Sequence, residues 1–543
     1  MKTMKTIGLL LLSAALVLTA AACGAGTGSE DAKTRDGVLK KSITMKSGAM
    51  EGSLDPAGVA ISSYVEYAKL CIDPLVSFDG QGTLIYEAAE SHTVNEDQTV
   101  WTFRLRADGK WSDGSPVVAA DFVNTIRRCL APDGQSIYAD QLYVIRGAQE
   151  AHEDPALLDG IGVSAPDEYT LEFTLKQPCT YFLKLLTLPV FAPSKEGLAV
   201  NSDPAWYTNP ATSLGNGAFY MTEYVQDERY VLAKNPYYHS ADRVKIDEVV
   251  VRTITDSTAA VAAYKSGEVD VASGLPAYIL DEYEGKEDLY IWNMQTTKFI
   301  LPNLNVAPLD DVRVRRAIAL GIDRSSACAA VGSDYIPTTS FVAKSMISNA
   351  SDKPFSEEKA PLFTEDVELA RQLLAEAGYP GGEGFPTLTY NYPNTETDSD
   401  LAQAIQAQLK DNLGINLELN GMEMQVFSSE RRAGNFTLSR HSWTADYTDP
   451  VNYLSLYTSY SGNNDNGVND AEFDRLVEAS NLAMDPAARN ELLHEAEARL
   501  VADQFYVIPV NTQIYVGLRN PKITGVTTND RGEGMYRFAD LLP

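Results

Sequence analysis

The chain has 543 residues, of which 44% are hydrophobic and 22% charged, and its mean hydropathy is -0.19. At about 150 residues per domain this length predicts three or four domain-sized units, and the composition excludes a mainly disordered chain and a polytopic membrane protein. The formal net charge is -30. Such a surface repels nucleic-acid phosphates and anionic lipid headgroups, so we expect no nucleic-acid partner and no membrane residence without a separate anchor.

The N-terminus has the pattern of an export signal. Lys2 and Lys5 make the first residues basic, an apolar run follows at 7–18, and small residues come next. The apolar run is too short to span a bilayer. We therefore predict that residues 1–22 are a signal peptide.

Cys23 directly follows these small residues and precedes a polar segment. The stretch Ala20-Ala21-Ala22-Cys23 resembles a bacterial lipobox, in which the cysteine is diacylated and becomes the mature N-terminus, although leucine is usual where Ala20 stands. The resemblance implies a lipoprotein anchored through Cys23, and residues 23–37 are then the lipidated cysteine and a flexible tether. The alternative is an ordinary secretory signal cut near Ala22, with Cys23 incidental.

The remaining cysteines form no C-x-x-C pair. They are Cys71, Cys129, Cys179 and Cys328. An exported chain could form disulfides, but spacing alone assigns none, and scattered buried thiols are the commoner arrangement.

In the first half of the body, alternating residues predict strands and periodic residues predict helices. The predicted strands are 84–86, 99–106, 231–233 and 246–251, and the predicted helices are 119–130 and 257–265. A turn is expected at 113–116, and Gly267 is expected to end the second helix.

The second half alternates between strands and helices. A strand at 388–392, a helix whose face carries Leu401, Ile405, Leu409 and Leu413 and ends at Gly414, and a strand at 415–419 predict a parallel crossover unit. Another apolar segment spans 436–443, and Asp485-Pro486 begins a helix that continues to about residue 502. The body is therefore predicted to be α/β with mixed sheets.

Catalytic and metal-binding motifs are missing from the sequence. It contains no phosphate-binding G-x-x-x-x-G-K-[ST] loop, no G-x-S-x-G elbow and no H-E-x-x-H pair. Its five histidines are dispersed, and the segment 463–467 lacks the spacing of an EF-hand, so we interpret it as a polar turn. We expect no enzyme activity, no cofactor and no metal site.

An ordered series of short motifs resembles the bacterial extracellular solute-binding protein family 5, which includes oligopeptide, dipeptide and nickel receptors of ABC transporters. The motifs lie, in family order, at 53–56, 101–106, 111–116, 215–220, 235–238, 266–270, 311–317, 322–324 and 443–450. Each is weak alone, and together they cover nearly all of 40–520. Most of them, such as 111–116 and 311–316, are interpreted as fixing turns and helix starts rather than binding a ligand.

The resemblance implies a periplasmic-binding-protein-like fold of type II, with two lobes around a cleft, a hinge of two crossovers and an extra inserted domain. Lobe I would comprise 38–75, 201–295 and 509–543, the inserted domain 76–200, and lobe II 296–508.

The resemblance also implies a binding site on the segment Arg440-His441-Ser442-Trp443-Thr444-Ala445-Asp446. In oligopeptide receptors this strand pairs with bound peptide, Asp446 matches the carboxylate that holds the peptide α-ammonium, and Arg440 and Arg431 match guanidinium groups that meet the C-terminal carboxylate. Ser442, Trp443 and Thr444 are further candidates. The alternatives are a solvated helix face for Arg431, a buried turn residue for Asp446, and plain core for Trp443.

On lobe I, the ligand is expected near Ala60, Ile61 and Ser62, where the match to the family is loose. We therefore predict a peptide-binding lipoprotein that is a monomer and delivers short peptides to ABC permease subunits. The alternatives are the same fold binding a nickel chelate, a sugar or a signalling peptide, an exported hydrolase, and an adhesion or scaffold protein.

Overall fold

The structure is a computed structural model that describes residues 41–47, 54–57, 67–134, 136, 138–199, 201, 203, 205–351 and 353–543. The predicted signal peptide, Cys23, the tether and the lobe I candidates Ala60, Ile61 and Ser62 lie outside these residues. Within them, no helix has the length and apolar character needed to cross a membrane.

The strands and helices alternate along much of the chain. The strands are β1 (Ser42–Ser47), β2 (Val76–Phe78), β3 (Leu84–Tyr86), β4 (Ala89–Val94), β5 (Val100–Leu105), β6 (Val163–Asp167), β7 (Thr170–Thr174), β8 (Phe219–Val225), β9 (Arg229–Lys234), β10 (Glu248–Thr253), β11 (Val271–Ser273), β12 (Leu289–Pro302), β13 (Tyr335–Pro337), β14 (Leu388–Pro393), β15 (Leu417–Met422), β16 (Leu438–Thr444), β17 (Ile508–Arg519), β18 (Ile523–Thr524), β19 (Thr527–Thr528), β20 (Gly534–Met535) and β21 (Asp540–Leu541). The α-helices are Ala119–Leu130, Ala148–Glu153, Phe182–Leu185, Ser257–Ser266, Tyr278–Tyr283, Val312–Leu320, Arg324–Ala329, Val367–Glu376, Glu396–Leu413, Met424–Arg432, Val451–Leu454, Ala471–Leu482 and Pro486–Ala498.

In the described part of the chain, eleven strands form one mixed sheet. Its order is β15-β14-β16-β12-β17-β11-β1-β10-β9-β8, and β13 also pairs with β17. A separate antiparallel sheet, β4-β5-β7-β6, lies within 76–200. The two longest strands, β12 and β17, pair with each other at the centre of the large sheet and so connect its two ends.

The predicted crossover unit is confirmed. Strands β14 and β15 are parallel, and the helix Glu396–Leu413 connects them. The helix begins at Thr395, whose hydroxyl accepts a hydrogen bond from the Asp398 amide, and it ends at Gly414 with φ 71°. An L side chain is strained at such a φ, and glycine is not. The leucine and isoleucine face is buried against the sheet, as its spacing predicts.

Other local predictions are also confirmed. The helix Ala119–Leu130 has the predicted bounds, Gly267 ends Ser257–Ser266 in the left-handed region, and Asp485 caps Pro486–Ala498. The motif at 111–116 has a structural role, because buried Trp111 donates its indole N–H to Asp121 at 3.0 Å. Asp311 likewise caps Val312–Leu320.

The cysteines of the described chain are four buried free thiols. Burial raises the pKa of each of them, that of Cys129 and Cys179 to about 12, so none is a reactive thiolate at neutral pH.

Between the two ends of the sheet, the pairing of β12 with β17 is interrupted. The register shifts between Asn293 and Thr297, because two extra β12 residues face β17 there. A bulge of this kind bends a strand locally. The predicted lobe boundaries at 295/296 and 508/509 fall at this shift and at the first residue of β17, and the lobe bounds themselves stay a prediction.

Candidate functional site

Within the described part of the chain, one edge of strand β16 is unpaired over most of its length. On one side it pairs with β12 from Leu438 to Thr444. On the other side, among the described residues, it pairs with β14 only at Leu438 and Ser439. The edge from Arg440 to Thr444 therefore offers main-chain N–H and C=O groups to an added strand.

Side chains alternate across β16, so they divide the candidate residues between two faces. Arg440, Ser442 and Thr444 share one face, and the Thr444 hydroxyl lies 2.7 Å from that of Thr296. His441 and Trp443 lie on the other. Trp443 packs against a buried core cluster and donates its indole N–H to Asn452 at 2.8 Å, as the core alternative for this residue expects.

Asp446 follows the end of β16 and is half-buried. Its Oδ1 accepts a hydrogen bond from the Tyr138 hydroxyl at 3.1 Å, and Arg531 lies 3.4 Å from its main-chain oxygen. Among the described residues no cation forms an ion pair with its carboxylate. Burial raises the pKa of Asp446 to about 6, and the Tyr138 hydrogen bond and the Arg531 charge oppose that rise. The carboxylate is thus short of positive charge.

Asp449, three residues after Asp446, is fully partnered. Arg489 binds both of its carboxylate oxygens, at 2.8 and 2.9 Å, and Asn349 donates to it at 2.8 Å. The side chains of Asp449 and Arg489 are 2% and 3% exposed. Because its charge is already neutralised, Asp449 has a structural role and Asp446 remains the acid open to a ligand.

At the other end of β16, two cations share one buried acid. Arg440 donates to Asp398 at 3.0 Å and Lys298 lies 3.4 Å from the same oxygen, while Lys298 also donates to the Tyr335 hydroxyl at 3.0 Å. Lys298 is opposite Ser442 in register and is buried. The group carries one excess positive charge, which an anion can neutralise.

Arg431 is not on a solvated helix face, because its side chain is 11% exposed. It forms an ion pair with Asp465 and donates to His441 Nε2 at 2.9 Å. Burial and the nearby arginines lower the pKa of His441 well below its usual value, so it is neutral at pH 7. Arg431 thus meets β16 through His441, on the face opposite Arg440, and the structure does not bring the two arginines to one contact.

Sequence reasoning missed Lys298, Asp398 and Tyr138. The available signal for Lys298 was a lysine directly before the apolar run 299–301. Tyr138 meets Asp446 across 308 positions of chain, and no local pattern indicates such a contact. The described residues contain no cluster of acidic, histidine or cysteine side chains that could hold a metal ion.

A cavity of about 610 Å³ opens beside Asp446. Its described wall comes mainly from 68–87, 187–192, 238–243 and 527–538, and Asp446 is its single described residue from the stretch 296–508. We call it the Asp446 cavity.

Comparison with known proteins gives consistent results. Residues 83–465 match the family model of bacterial extracellular solute-binding proteins, family 5. The chain is 31% identical over 507 residues to the periplasmic oligopeptide-binding protein OppA of Escherichia coli, covering 92% of each chain. The predicted family is confirmed.

Solved structures agree in fold. An oligopeptide-binding protein of Borrelia burgdorferi superposes with a TM-score of 0.79 and 27% identity, covering 93% of this chain and 100% of the other. OppA of Haemophilus influenzae, in complex with the peptide RPPGFSPFR, gives 0.76 and 27%, covering 93% and 99%. The predicted two-lobed α/β fold is therefore confirmed, and the chain belongs to the bacterial extracellular solute-binding proteins, family 5.

Proposed function

We propose that this protein is a receptor that binds short peptides between its two lobes and delivers them to the permease of an ABC importer. The observation that supports this most is the unpaired edge of β16, which runs between an acid short of positive charge, Asp446, and a cation group with one positive charge in excess, Lys298 and Arg440 around Asp398. An extended peptide has an ammonium at one end and a carboxylate at the other, so its charges match this acid and this cation group.

The peptide α-ammonium binds at Asp446. An ammonium enclosed by protein loses most of its hydration and needs a full negative charge nearby. Asp446 has the charge and, among the described residues, forms no ion pair, and the Tyr138 hydroxyl holds its carboxylate in place.

The peptide carboxylate binds at Arg440 and Lys298. Arg440 also donates to Ser442 at 3.0 Å, so the guanidinium is held on the face of β16 that carries the other candidates. Between the two charged ends, main-chain hydrogen bonds to the β16 edge bind the peptide without reading its side chains.

The alternatives fit the residues less well. A nickel chelate needs ligands in the cleft, and His441, the histidine on β16, is held by Arg431. A hydrolase needs a nucleophile and a base within reach of each other, and the four cysteines among the described residues are buried thiols with raised pKa values. An uncharged sugar would match neither the acid at one end of the β16 edge nor the cation group at the other end.

The remaining organisation follows from the sequence. Lobe I (38–75, 201–295 and 509–543) and lobe II (296–508) close on the peptide by bending at β12 and β17, and 76–200 forms the inserted domain. The protein is a monomer on the extracytoplasmic face of the membrane, anchored through a lipid on Cys23. In the producing cell, Cys23→Ser should release it into the soluble fraction with its fold unchanged, and continued membrane attachment after a salt wash would contradict the anchor.

Native mass spectrometry of protein purified without denaturation tests the peptide assignment. A set of short-peptide masses released from the protein supports it. A single metal-chelate or sugar mass contradicts it and favours another solute.

A further inference from the structure

A turn near the C-terminus of the chain reaches Asp446. Strands β19 and β20 pair with each other, and residues 529–533 connect them. Asn529 organises this connection, because its side-chain oxygen accepts hydrogen bonds from the main-chain N–H groups of Arg531 and Glu533 at 3.1 and 2.9 Å. Arg531 therefore lies at the tip of a closed turn, and we call residues 529–533 the C-terminal turn.

Ion pairs fix the C-terminal turn on two sides. Asp530 pairs with Lys184 at 2.9 Å, and Glu533 pairs with Lys69 at 3.2 Å. The four side chains are at most 16% exposed, so water and salt screen these pairs only weakly. The tip of the turn is held in place between them.

Arg531 extends from this tip to Asp446. Its guanidinium donates to the main-chain oxygen of Asp446 at 3.4 Å and lies 3.6 Å from Glu533. Burial would raise the pKa of Glu533, but the charges of Lys69 and Arg531 lower it to about 2, so Glu533 is ionised. Because the arginine binds the main chain of Asp446, it leaves the carboxylate open to a ligand.

The charges around Asp446 act on its carboxylate in opposite directions. Burial is the main reason that the pKa of Asp446 is raised to about 6, and the charge of Asp140 adds to that rise. The Tyr138 hydrogen bond and the charge of Arg531 oppose it. Arg531 thus favours the ionised form of Asp446, which is the form that a peptide ammonium needs.

Other titratable groups around Asp446 are neutral or already paired. Asp449 forms its ion pair with Arg489. Burial raises the pKa of three phenols, so they are neutral at pH 7: Tyr138, Tyr447 and Tyr453.

We infer that Arg531 is a positioning residue: from the C-terminal turn it holds the main chain at Asp446 and supplies a positive charge beside the carboxylate, and so it sets how far the pH can fall before peptide binding fails. This inference rests on the proposed function, since it takes the peptide ammonium to bind the ionised carboxylate of Asp446.

Titration calorimetry with trialanine between pH 7.5 and pH 5 tests the role of the charge. Wild-type affinity should fall about tenfold over this range, because protonation of Asp446 competes with binding. In Arg531→Gln the pKa of Asp446 should be about one pH unit higher, so the affinity should fall about fifty- to a hundredfold. Arg531→Lys retains the charge and should follow wild type.

Proton release on binding gives a second measurement, which a loss of packing alone would not change. At pH 6.5, calorimetry in buffers of different ionisation enthalpy should show about 0.25 proton released per peptide by wild type and about 0.75 by Arg531→Gln. Glu533→Gln removes a negative charge beside Arg531 and should release fewer protons than wild type. Arg475→Gln, at an arginine whose side chain is 57% exposed, is the control and should match wild type.

The outcomes separate the two claims. If trialanine does not bind wild type at any of these pH values, the proposed function fails and the inference fails with it. If it binds, and Arg531→Gln releases as many protons as wild type or Arg531→Lys loses as much affinity at pH 5 as Arg531→Gln, the inference is overturned and the proposed function stands.

Discussion

Asp446 and Asp449 are three positions apart and show how burial and pairing separate two roles. Arg489 and Asn349 satisfy Asp449. Asp446 has a tyrosine hydroxyl in place of a cation, and its pKa is raised to about 6 because burial disfavours its charged form. The charge of Asp446 is costly in the free protein and would be stabilised by a ligand ammonium. Such an unmet charge favours ligand binding.

Peptide affinity should therefore depend on pH near 6. The ammonium needs the ionised form of Asp446, which predominates above pH 6 in the free protein, and a bound ammonium should lower the pKa of Asp446 from this raised value. As pH falls from 6 towards 4, affinity should fall about tenfold per unit, and binding should release a proton. Calorimetry in buffers of different ionisation enthalpy measures both effects. An affinity that stays constant from pH 7 to pH 5 would contradict the role of this carboxylate.

Lys298 should contribute to binding through the peptide carboxylate. Lys298→Met removes the excess positive charge and leaves Asp398 paired with Arg440. Losing a charged hydrogen bond of this kind costs about 1.5–3 kcal/mol, or about ten- to a hundredfold in affinity. A C-terminally amidated peptide should bind both proteins alike. Lys410→Met, at an exposed lysine on the helix Glu396–Leu413, is the control, and an equal loss for the amidated peptide would assign Lys298 a structural role.

At the scale of the element, the position of β16 was predictable from its own residues, whereas its open edge and charged ends depend on distant segments. The segment 436–443 was marked as apolar, the family resemblance implied a strand there, and the strand is Leu438–Thr444. Its unpaired edge depends on where β14 stops pairing, and its charged ends depend on Lys298 and Asp398, which come from other segments.

The same division holds elsewhere in the fold. The helices Ala119–Leu130 and Glu396–Leu413 were predictable because their apolar spacing and their flanking residues are local. The second sheet was not predicted as a whole, because β5 and β7 alternate, whereas β4 and β6 bury only their first residue. The fold and the candidate residue Asp446 were predicted from the resemblance of the motifs to the family. Tyr138 and Asp398 were missed, because contacts across distant segments leave no periodic signal.

Strand addition at β16 predicts an alternating response to N-methylation of the peptide. In an extended strand, successive N–H groups point to opposite edges, so one methylated amide should lose a hydrogen bond to β16 and its neighbour should not. A buried acceptor left without a donor costs about 1–3 kcal/mol, so the two methylated peptides should differ about five- to a hundredfold in affinity. Equal losses at both positions would contradict strand pairing.

At the scale of the whole molecule, contacts connect the stretch 76–200 to the stretch 296–508 near the site. Tyr181 stacks on Tyr447 with ring centroids 5.6 Å apart and planes 1° apart, and the Arg489 guanidinium lies 5.6 Å from the Tyr181 ring. Tyr138 adds its bond to Asp446. A ligand bound at Asp446 therefore lies next to the contacts that hold the stretches 76–200 and 296–508 together.

Ligand binding should therefore compact the protein. Saturating tripeptide should reduce the radius of gyration measured by small-angle X-ray scattering, because the closed state contacts the ligand from both lobes. Tyr181→Ala should need more peptide for the same change, whereas Tyr460→Ala, at a ring that is 64% exposed, should behave as wild type. An unchanged radius at saturation would contradict closure.

The central claim is that Asp446 binds the α-ammonium of a peptide, and calorimetry of Asp446→Asn tests it most directly. The substitution keeps the shape of the side chain and deletes its charge. Removing one partner of a buried ion pair costs about 3–5 kcal/mol, so a free-amine tripeptide should bind about 100- to 5000-fold more weakly, while its N-acetylated form binds both proteins equally poorly. Because the ionised buried carboxylate is costly to the free protein above pH 6, the variant should melt no lower than wild type at pH 7. Unchanged affinity for the free-amine peptide would contradict the account.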